Sequence, residues 1–425
     1  MQPLQLSTDF KYALDLIEKT TASVFITGRA GTGKSTLLQL FRNTTRKKTV
    51  VLAPTGVAAL NVGGQTIHSF FRFPAKLISE KDIKKHRYRS LYQKLDVLVI
   101  DEISMVRADM LDHIDRFLRL NRDSHLPFGG VQMVFFGDLF QLPPIVANDA
   151  EAYLFTHQYD SPYFFSAHVF ETFEMERIEL NKVYRQEARY FVRLLDAVRT
   201  NRVDEDDLQD LNERYKPHFK GKDFYITLSA RNATVDRINR QELERIPMPT
   251  HFYQAEIEGK FDARLYPTEP ILQLKLNAQV MFVRNDPDRQ FVNGTIGKVI
   301  KLEKDNITVL IETRDQRKQY IEVEQIDWDI TKYKLNDEGK IEAETVGTFT
   351  QYPLKLAWAI TIHKSQGKTF DRVIIDLGKG AFEHGQTYVA LSRCRTLEGI
   401  VLRQPLKWTD IRTDERVVDY YEQYF

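Results

Sequence analysis

The run Gly28-Arg-Ala30-Gly31-Thr32-Gly33-Lys34-Ser35-Thr36 is glycine-rich and ends in a lysine and two hydroxyls. Glycines let successive backbone N–H groups turn inward around phosphate oxygens, and a helix starting at the end of the run adds partial positive charge. Lys34 is suited to neutralise β- and γ-phosphate oxygens, and Ser35 to offer its hydroxyl to Mg²⁺. The chemistry needs a buried strand before the run and a helix after it. The apolar residues 23–27 and the segment 36–41 supply both. A second apolar run, 95–100, ends in Asp101-Glu102. There Asp101 can hold Mg²⁺ through water, and Glu102 can take a proton from an attacking water. A third, 131–136, leads into Gly137-Asp138-Leu-Phe-Gln141-Leu-Pro143-Pro144. The Gln141 amide could bond a phosphate oxygen and the attacking water together. Alone, an Asp-Glu pair is a strand end meeting solvent and a Gly-Asp pair is a turn. Downstream of a phosphate loop they become specific.

These groups need a scaffold that brings strand ends together. Short apolar runs at 23–27, 49–53, 95–100 and 131–136 alternate with helical segments, the pattern of a parallel sheet with crossover helices. Ser7 caps a first helix, with Phe10, Ala13, Leu14 and Ile17 at helical spacing. A second α/β region starts near 178, with a strand at 224–228 and a helix at 234–240. Between 261 and 344 the segments become short, β-prone and separated by Gly and Asn, as in a small all-β insertion. The α/β texture returns at 354–362 and 373–377. With 425 residues, two to four domains are expected.

Lys+Arg total 60 and Asp+Glu 59, for a net charge of +1. Attachment to nucleic acid or membrane by bulk charge is thereby excluded, and such contacts must come from a local groove. The single cysteine, Cys394, excludes an internal disulfide or a thiolate zinc site. No apolar run reaches the roughly 18–20 residues of a membrane helix. The first residues lack the pattern of a signal or transit peptide. The expectation is a cytosolic protein in a reducing compartment, bacterial and nucleoid-associated, or nuclear or mitochondrial if this is the core of a longer eukaryotic protein.

Further motifs extend the series: Ala53-Pro54-Thr55-Gly56-Val-Ala-Ala, Thr66-Ile-His68-Ser69-Phe-Phe71, Leu180-Asn-Lys-Val-Tyr184-Arg185-Gln186, Thr361-Ile-His363-Lys364-Ser365-Gln366-Gly367 and Tyr388-Val-Ala-Leu-Ser392-Arg393-Cys-Arg. In order and content the whole set resembles the superfamily 1 DNA helicases, and within them the petite integration frequency (PIF) family of the RecD-like branch. The resemblance runs from about residue 6 to 400. It implies two RecA-like P-loop domains with parallel sheets, the first over 1–63 and 78–177, the second over 178–260 and 345–425. It also implies a wedge-like hairpin or loop insertion at 64–77 and an SH3-like barrel at 261–344. ATP with Mg²⁺ would occupy the cleft, with Gly367 among its contacts. Arg185 and Arg393 would reach the γ-phosphate, where an arginine finger is worth roughly 10³–10⁵ in rate. A surface salt bridge is the commoner fate of an arginine. The family's Glu-Gln after Leu-Ser is absent here, where Thr8-Asp9-Phe10 follows Leu6-Ser7, and Gln5 would be the substitute for adenine recognition.

A helicase track needs phosphate contacts and base platforms. The turns at Pro54-Thr55-Gly56 and at Thr361, His363, Lys364 and Ser365 offer hydroxyls and backbone N–H groups. Thr66, His68, Ser69, Phe71 and Arg72 interleave aromatics with cations, and stacking contributes about 1–3 kcal/mol per base. The phenylalanines read equally as core, and Asn293-Gly294 equally as a hairpin turn. The expected partners are single-stranded, forked and tailed duplex DNA, bound by a protein that is monomeric when free. The resemblance adds 5′ to 3′ polarity, G-quadruplexes and RNA–DNA hybrids, in DNA repair, recombination and telomere maintenance. A P-loop small-molecule kinase would explain residues 28–35 but leave the second half idle. A nucleotide-gated scaffold would leave the candidate base and fingers without a role.

Overall fold

The computed structural model describes every residue except 1–6, 75, 187, 222, 289 and 314–316. Two compact units divide it: residues 1–184, 330–346 and 414–425 form the first, and 185–329 and 347–413 the second.

The first unit is built on a six-stranded sheet, with β1 (Val24–Gly28), β2 (Thr49–Ala53), β3 (Gln65–Thr66), β4 (Val97–Ile100), β5 (Gln132–Phe136) and β6 (Glu176–Leu180). The order is β3-β2-β4-β5-β1-β6, and every pairing is parallel. Strands buried on both faces must be apolar throughout, which is why 24–28 and 97–100 carry no alternation. Helices Thr8–Lys19 and Lys34–Thr44 cover one face, where Phe10, Ala13, Ile17, Leu37, Leu38 and Phe41 pack on Val24, Ile26, Val99 and Val134. Ser7 caps the first of these by accepting from Phe10 N at 3.4 Å. The register sets Ile100 beside Phe135, Phe136 beside Ile26 and Gly28 beside Leu180. The carboxyl ends of β1, β4 and β5 therefore share one edge, where open α/β sheets bind ligands.

The second unit holds a smaller parallel sheet, β18-β7-β19-β20, with β7 at Ile226–Ser229. Between its first two strands lies an antiparallel β module. In chain order it comprises β8 (His251–Gln254), β9 (Glu256–Gly259), β10 (Ile271–Leu274), β11 (Gln279–Phe282), β12 (Ile296–Leu302), β13 (Ile307–Glu312), β14 (Lys318–Val323), β15 (Ile326–Leu335), β16 (Ile341–Gln351) and β17 (Leu354–Leu356). Strands β11 to β14 with β17 make a five-stranded sheet over a core that includes Val280, Phe282, Val299, Val309 and Leu354. The parallel sheet is completed by β18 (Ala359–Thr361), β19 (Val373–Asp376) and β20 (Ile400–Leu402).

Both halves are thus RecA-like P-loop folds, the second carrying the all-β SH3-like insertion, as expected. The expected boundaries shift. Segment 178–184 belongs to the first unit because β6 pairs with β1. Helix Glu415–Tyr424 also joins the first unit: Phe425 meets Phe25 edge-on, Tyr420 stacks on Phe165 and Tyr421 donates to Glu179. The β module begins at His251 and ends at Leu356, because β8 pairs β10, β9 pairs β16 and β17 pairs β11, and its segment 330–346, from within β15 to within β16, is counted with the first unit. Gln65 and Thr66 form the edge strand, pairing with Leu52 and Ala53, and a short helix Ile67–Phe71 follows.

Candidate nucleotide and nucleic-acid sites

The phosphate loop follows β1 and opens helix Lys34–Thr44. Gly28 has φ of 148°, and a Cβ there would stand 2.6 Å from the Leu180 carbonyl oxygen, so the close strand contact requires glycine. Gly33 is left-handed at φ 92° and leads the helix. Lys34 Nζ donates to the carbonyl oxygens of Gly28 (2.5 Å) and Arg29 (3.1 Å), lying across the loop. Thr32 is buried and donates to Arg29 O, while Ser35 and Thr36 are exposed on the first helical turn. Gly31 O accepts from Tyr184 N at 2.9 Å, and the Tyr184 ring lies 3.7 Å from the position a Cβ on Gly33 would take. That exposed ring beside the loop was not among the expected site residues, since a lone tyrosine in a loop carries no signal.

Asp101 follows β4, its N–H donating to Leu52 O at 2.9 Å. Burial, and after it the neighbouring Glu102 charge, push its carboxyl up to about 7, against the pull of Lys34. A carboxylate so destabilised gains from a cation. Glu102 holds a left-handed backbone at φ 51°, ψ 45°, which costs of order 1–3 kcal/mol. Beside this pair, Ser104 Oγ is buried without a hydrogen-bond partner. Among the described residues there is no cluster of three or more His, Cys, Asp or Glu able to hold a metal. Exposed Ser35 and charge-frustrated Asp101 therefore fit Mg²⁺ carried mainly by phosphate and water, the usual magnesium arrangement.

Gln141 is buried after β5, and its Nε2 donates to Asp138 Oδ2 at 3.0 Å. Asp138 has no exposed surface and also accepts from Phe140 N at 3.3 Å. This aspartate orients the amide, a role hidden in a pair that reads as a simple turn.

In the second unit Arg185 and Arg393 lie together. Arg185 Nη1 donates to Ser392 O at 3.1 Å. Arg393 is fully buried, donating from Nε to Val389 O (2.9 Å) and from Nη2 to Ser392 Oγ (2.9 Å). Gln186 Nε2 bridges the Ser392 and Cys394 carbonyls. Burial and the Arg393 charge lower the Arg185 pKa to about 9, which leaves it protonated at neutral pH. Two guanidinium groups held by carbonyls form a concentrated positive site.

Each sheet also carries a threonine cap at a strand end. Thr55 Oγ1 accepts from Ala58 N and Thr361 Oγ1 from Lys364 N, both at 3.2 Å. Pro54 and Gly56 flank the first, and exposed Lys364 and Gly367 (φ 74°) flank the second. His363 pairs with Glu383 at 3.0 Å. Thr66 caps the helix holding half-exposed His68 and exposed Ser69, and Arg72, left-handed at φ 57°, ends it. Burial and the Arg107 charge lower the His68 pKa, which favours its neutral ring. Asn293 and Gly294 form the tip between β11 and β12, with Gly294 N donating to Phe282 O.

Two expectations are corrected. Phe71 is 2% exposed, stacked on Phe73 at 5.3 Å and edge-on to Phe117 at 5.2 Å, so it is core and offers no base platform. Ser365 is wholly buried and its hydroxyl donates to Ile362 O at 2.6 Å, so it stabilises the turn instead of meeting phosphate. Gln5 lies outside the described residues.

A phosphate loop, an acidic strand end and an oriented glutamine on one parallel sheet, with a second parallel sheet bearing paired arginines, define a P-loop nucleoside triphosphatase with two RecA-like domains. A family model described as PIF1-like helicase matches residues 5–209. The ATP-dependent DNA helicase Pif1 of Bdellovibrio bacteriovorus is 34% identical over 99% of this chain and 92% of its own length. Human ATP-dependent DNA helicase PIF1 is 35% identical over 94% of this chain, which spans 61% of the human protein. A crystal structure of Bacteroides sp Pif1 with ADP-AlF4 is 39% identical, covers 99% of this chain and 97% of that one, and matches at a TM-score of 0.92. A structure of Bacteroides Pif1 bound to ssDNA, 40% identical with the same coverage, matches at 0.70. The chain belongs to the PIF1-like helicase family.

Proposed function

We propose that this chain is an ATP-dependent DNA helicase that moves on single-stranded DNA and opens duplexes. The observation that carries this is the shared carboxyl edge of β1, β4 and β5, which gathers Lys34, Ser35, Asp101, Glu102 and Gln141. The loop amides and Lys34 bind the triphosphate. Ser35 and Asp101 would hold Mg²⁺, which would supply neutralisation of phosphate charge. Glu102 accepts the proton of the attacking water, and Gln141, aimed by Asp138, holds that water in line. Arg185 and Arg393 would stabilise charge on the γ-phosphoryl group as it transfers to water. Thr55, Thr66, His68, Ser69 and Arg72 on one unit, and Asn293, Gly294, Thr361, His363 and Lys364 on the other, contact the strand. The kinase and scaffold alternatives give these second-unit groups nothing to do.

Polarity of 5′ to 3′ and action on G-quadruplexes and RNA–DNA hybrids are the finer parts of the proposal, supported by family membership. A reducing compartment suits its one buried thiol. No helix among the described residues is long and apolar enough to cross a membrane. The test is unwinding of forked duplexes and of duplexes with a single 5′ or 3′ tail, alongside ATP turnover with and without oligo-dT. Strong stimulation by oligo-dT and opening of 5′-tailed and forked substrates are expected. Turnover indifferent to DNA would refute a helicase, and preference for 3′ tails would reverse the polarity.

A further inference from the structure

Three side-chain bonds in the second unit join the consecutive residues Arg185 and Gln186 to the segment that carries Arg393. Two of them come from a neutral residue that phosphate chemistry does not require. Gln186 is 4% exposed, and its Nε2 donates to the carbonyl oxygens of Ser392 at 3.2 Å and Cys394 at 3.0 Å, the residues on either side of Arg393. Helix Gln386–Ser392 ends there, with Arg393 as its C-cap. The last carbonyls of a helix lack partners within it and carry partial negative charge. Ser392 O is one of them, and it also accepts from Arg185 Nη1 at 3.1 Å. Arg393 is fixed from its own side. Its Nε donates to Val389 O, its Nη2 to Ser392 Oγ, and its carbonyl accepts from Phe370 N at 2.9 Å. Arg185 is the first residue of the second unit, and Tyr184 before it donates from its N–H to Gly31 O in the first. A segment leaving one body needs an anchor in the next, and Gln186 supplies the buried part of that anchor. Two guanidinium groups gathered at one helix end repel each other. The side chain that pins them must therefore donate without adding charge. A lysine there would add a third cation, and a glutamate would set its oxygens against two carbonyls. Glutamine offers two N–H donors on one uncharged nitrogen.

We propose that Gln186 is a positioning residue that sets Arg185 and Arg393 as one preorganised pair and acts on the γ-phosphate only through them. This rests on the helicase reading, which takes both arginines as fingers. A finger stabilises developing charge only when its N–H groups are already aimed at it. Without the Gln186 amide, Ser392 O and Cys394 O each lose a donor, and of the three bonds only that of Arg185 remains. A misplacement of about 1 Å at a reacting centre costs about 100-fold in rate.

The test is ATP turnover by the full chain with oligo-dT, for Gln186→Met in the wild type and in a background carrying Arg185→Ala and Arg393→Ala together, with ADP affinity read by fluorescence. Gln186→Met keeps the length of the side chain and loses both donors. Its kcat should fall about 10–100-fold, while ADP affinity, which involves no group aimed at the γ-phosphate, stays at the wild-type value. In the background without the arginines, followed under single turnover, the same substitution should cost about twofold or less, because residues that act as a unit are not additive. A residue serving the fold alone would cost the same factor in both backgrounds. Equal losses would therefore overturn the proposal, as would wild-type kcat, or a loss of ADP affinity that matches the loss of kcat. Should Gln186→Met fail to fold, Gln186→Glu takes its place. Its carboxylate has a guanidinium at hand to pair with, which keeps the fold, yet it donates to neither carbonyl. The same pattern of kcat loss is expected, and normal turnover would overturn the proposal. If Arg185→Ala and Arg393→Ala each turn over normally, the finger reading falls and the role of Gln186 with it. If they stop turnover and Gln186→Met does not slow it, only the positioning role falls.

Discussion

Asp101→Asn should make the nucleotide-free protein more stable while abolishing its activity. The carboxyl is held near pH 7 in the fold, against 3.8 for an unperturbed aspartate. A group whose folded pKa is raised binds its proton more tightly in the fold than in the unfolded chain. Stability is therefore fullest below pH 3.8 and is lost progressively as pH rises to about 7. About three pH units at 1.36 kcal/mol each set a ceiling of about 4 kcal/mol. Glu102 and Lys34 share in that balance, so about 2 kcal/mol is the working figure at pH 7.5. For a unit of roughly 200 residues this corresponds to about 4–8 °C in Tm. The assay is thermal unfolding of both proteins between pH 5 and 8.5. The gap between variant and wild type should widen from pH 5 to 7 and stay level above. Mg²⁺ with a non-hydrolysable ATP analogue should narrow it, since the cation favours the ionised carboxylate in the wild type alone. A variant less stable than wild type at pH 8, or a gap independent of pH, would refute the assignment of Asp101 as a frustrated carboxylate awaiting a cation.

Three other outcomes follow from the same geometry. Asp138→Ala strands the Phe140 N–H and the Gln141 amide in the interior, so it should cost about 1–3 kcal/mol by denaturant unfolding. It should also slow ATP turnover about 100-fold through the misplaced glutamine; unaltered turnover would separate Gln141 from catalysis. Arg393→Lys keeps a charge but loses the fork of bonds to Val389 and Ser392, and should cut turnover about 10³-fold or more while nucleotide affinity, read by fluorescence, holds. Normal turnover there removes Arg393 from the reaction. Phe71→Ala should destabilise by about 3–5 kcal/mol, whereas Phe71→Leu should fold and bind oligo-dT with wild-type affinity; a large affinity loss in the leucine variant would restore the ring to the DNA track.

The phosphate loop and its two companion strand ends were legible because their signals are local: glycine spacing, and apolar runs buried on both faces that end in acid or glycine. What the sequence hid depends on contacts between distant residues. Strand β6 alternates, Glu176-Arg-Ile-Glu-Leu180, as an edge strand does, and nothing local says which sheet it joins. The C-terminal helix attaches to the first unit through Phe25, Phe165 and Glu179, all well over 200 residues earlier. The fate of Phe71 was set by Phe117 and Tyr92, which complete an aromatic cluster around it.

Cys394, the sole cysteine, has no exposed surface, and its thiol is pushed up to about 12 by burial. It lies so close to Gly399 that a methyl there would stand 2.8 Å from its sulfur. Such a thiol is blind to maleimide dyes. The natural chain is therefore already a silent background for labelling. One new cysteine at exposed Asn43 and another at exposed Glu244, both outside the assigned sites, would be the only reactive handles, one on each body. Fluorescence transfer between them would report whether the distance between the bodies changes during turnover, with no native cysteine to remove first.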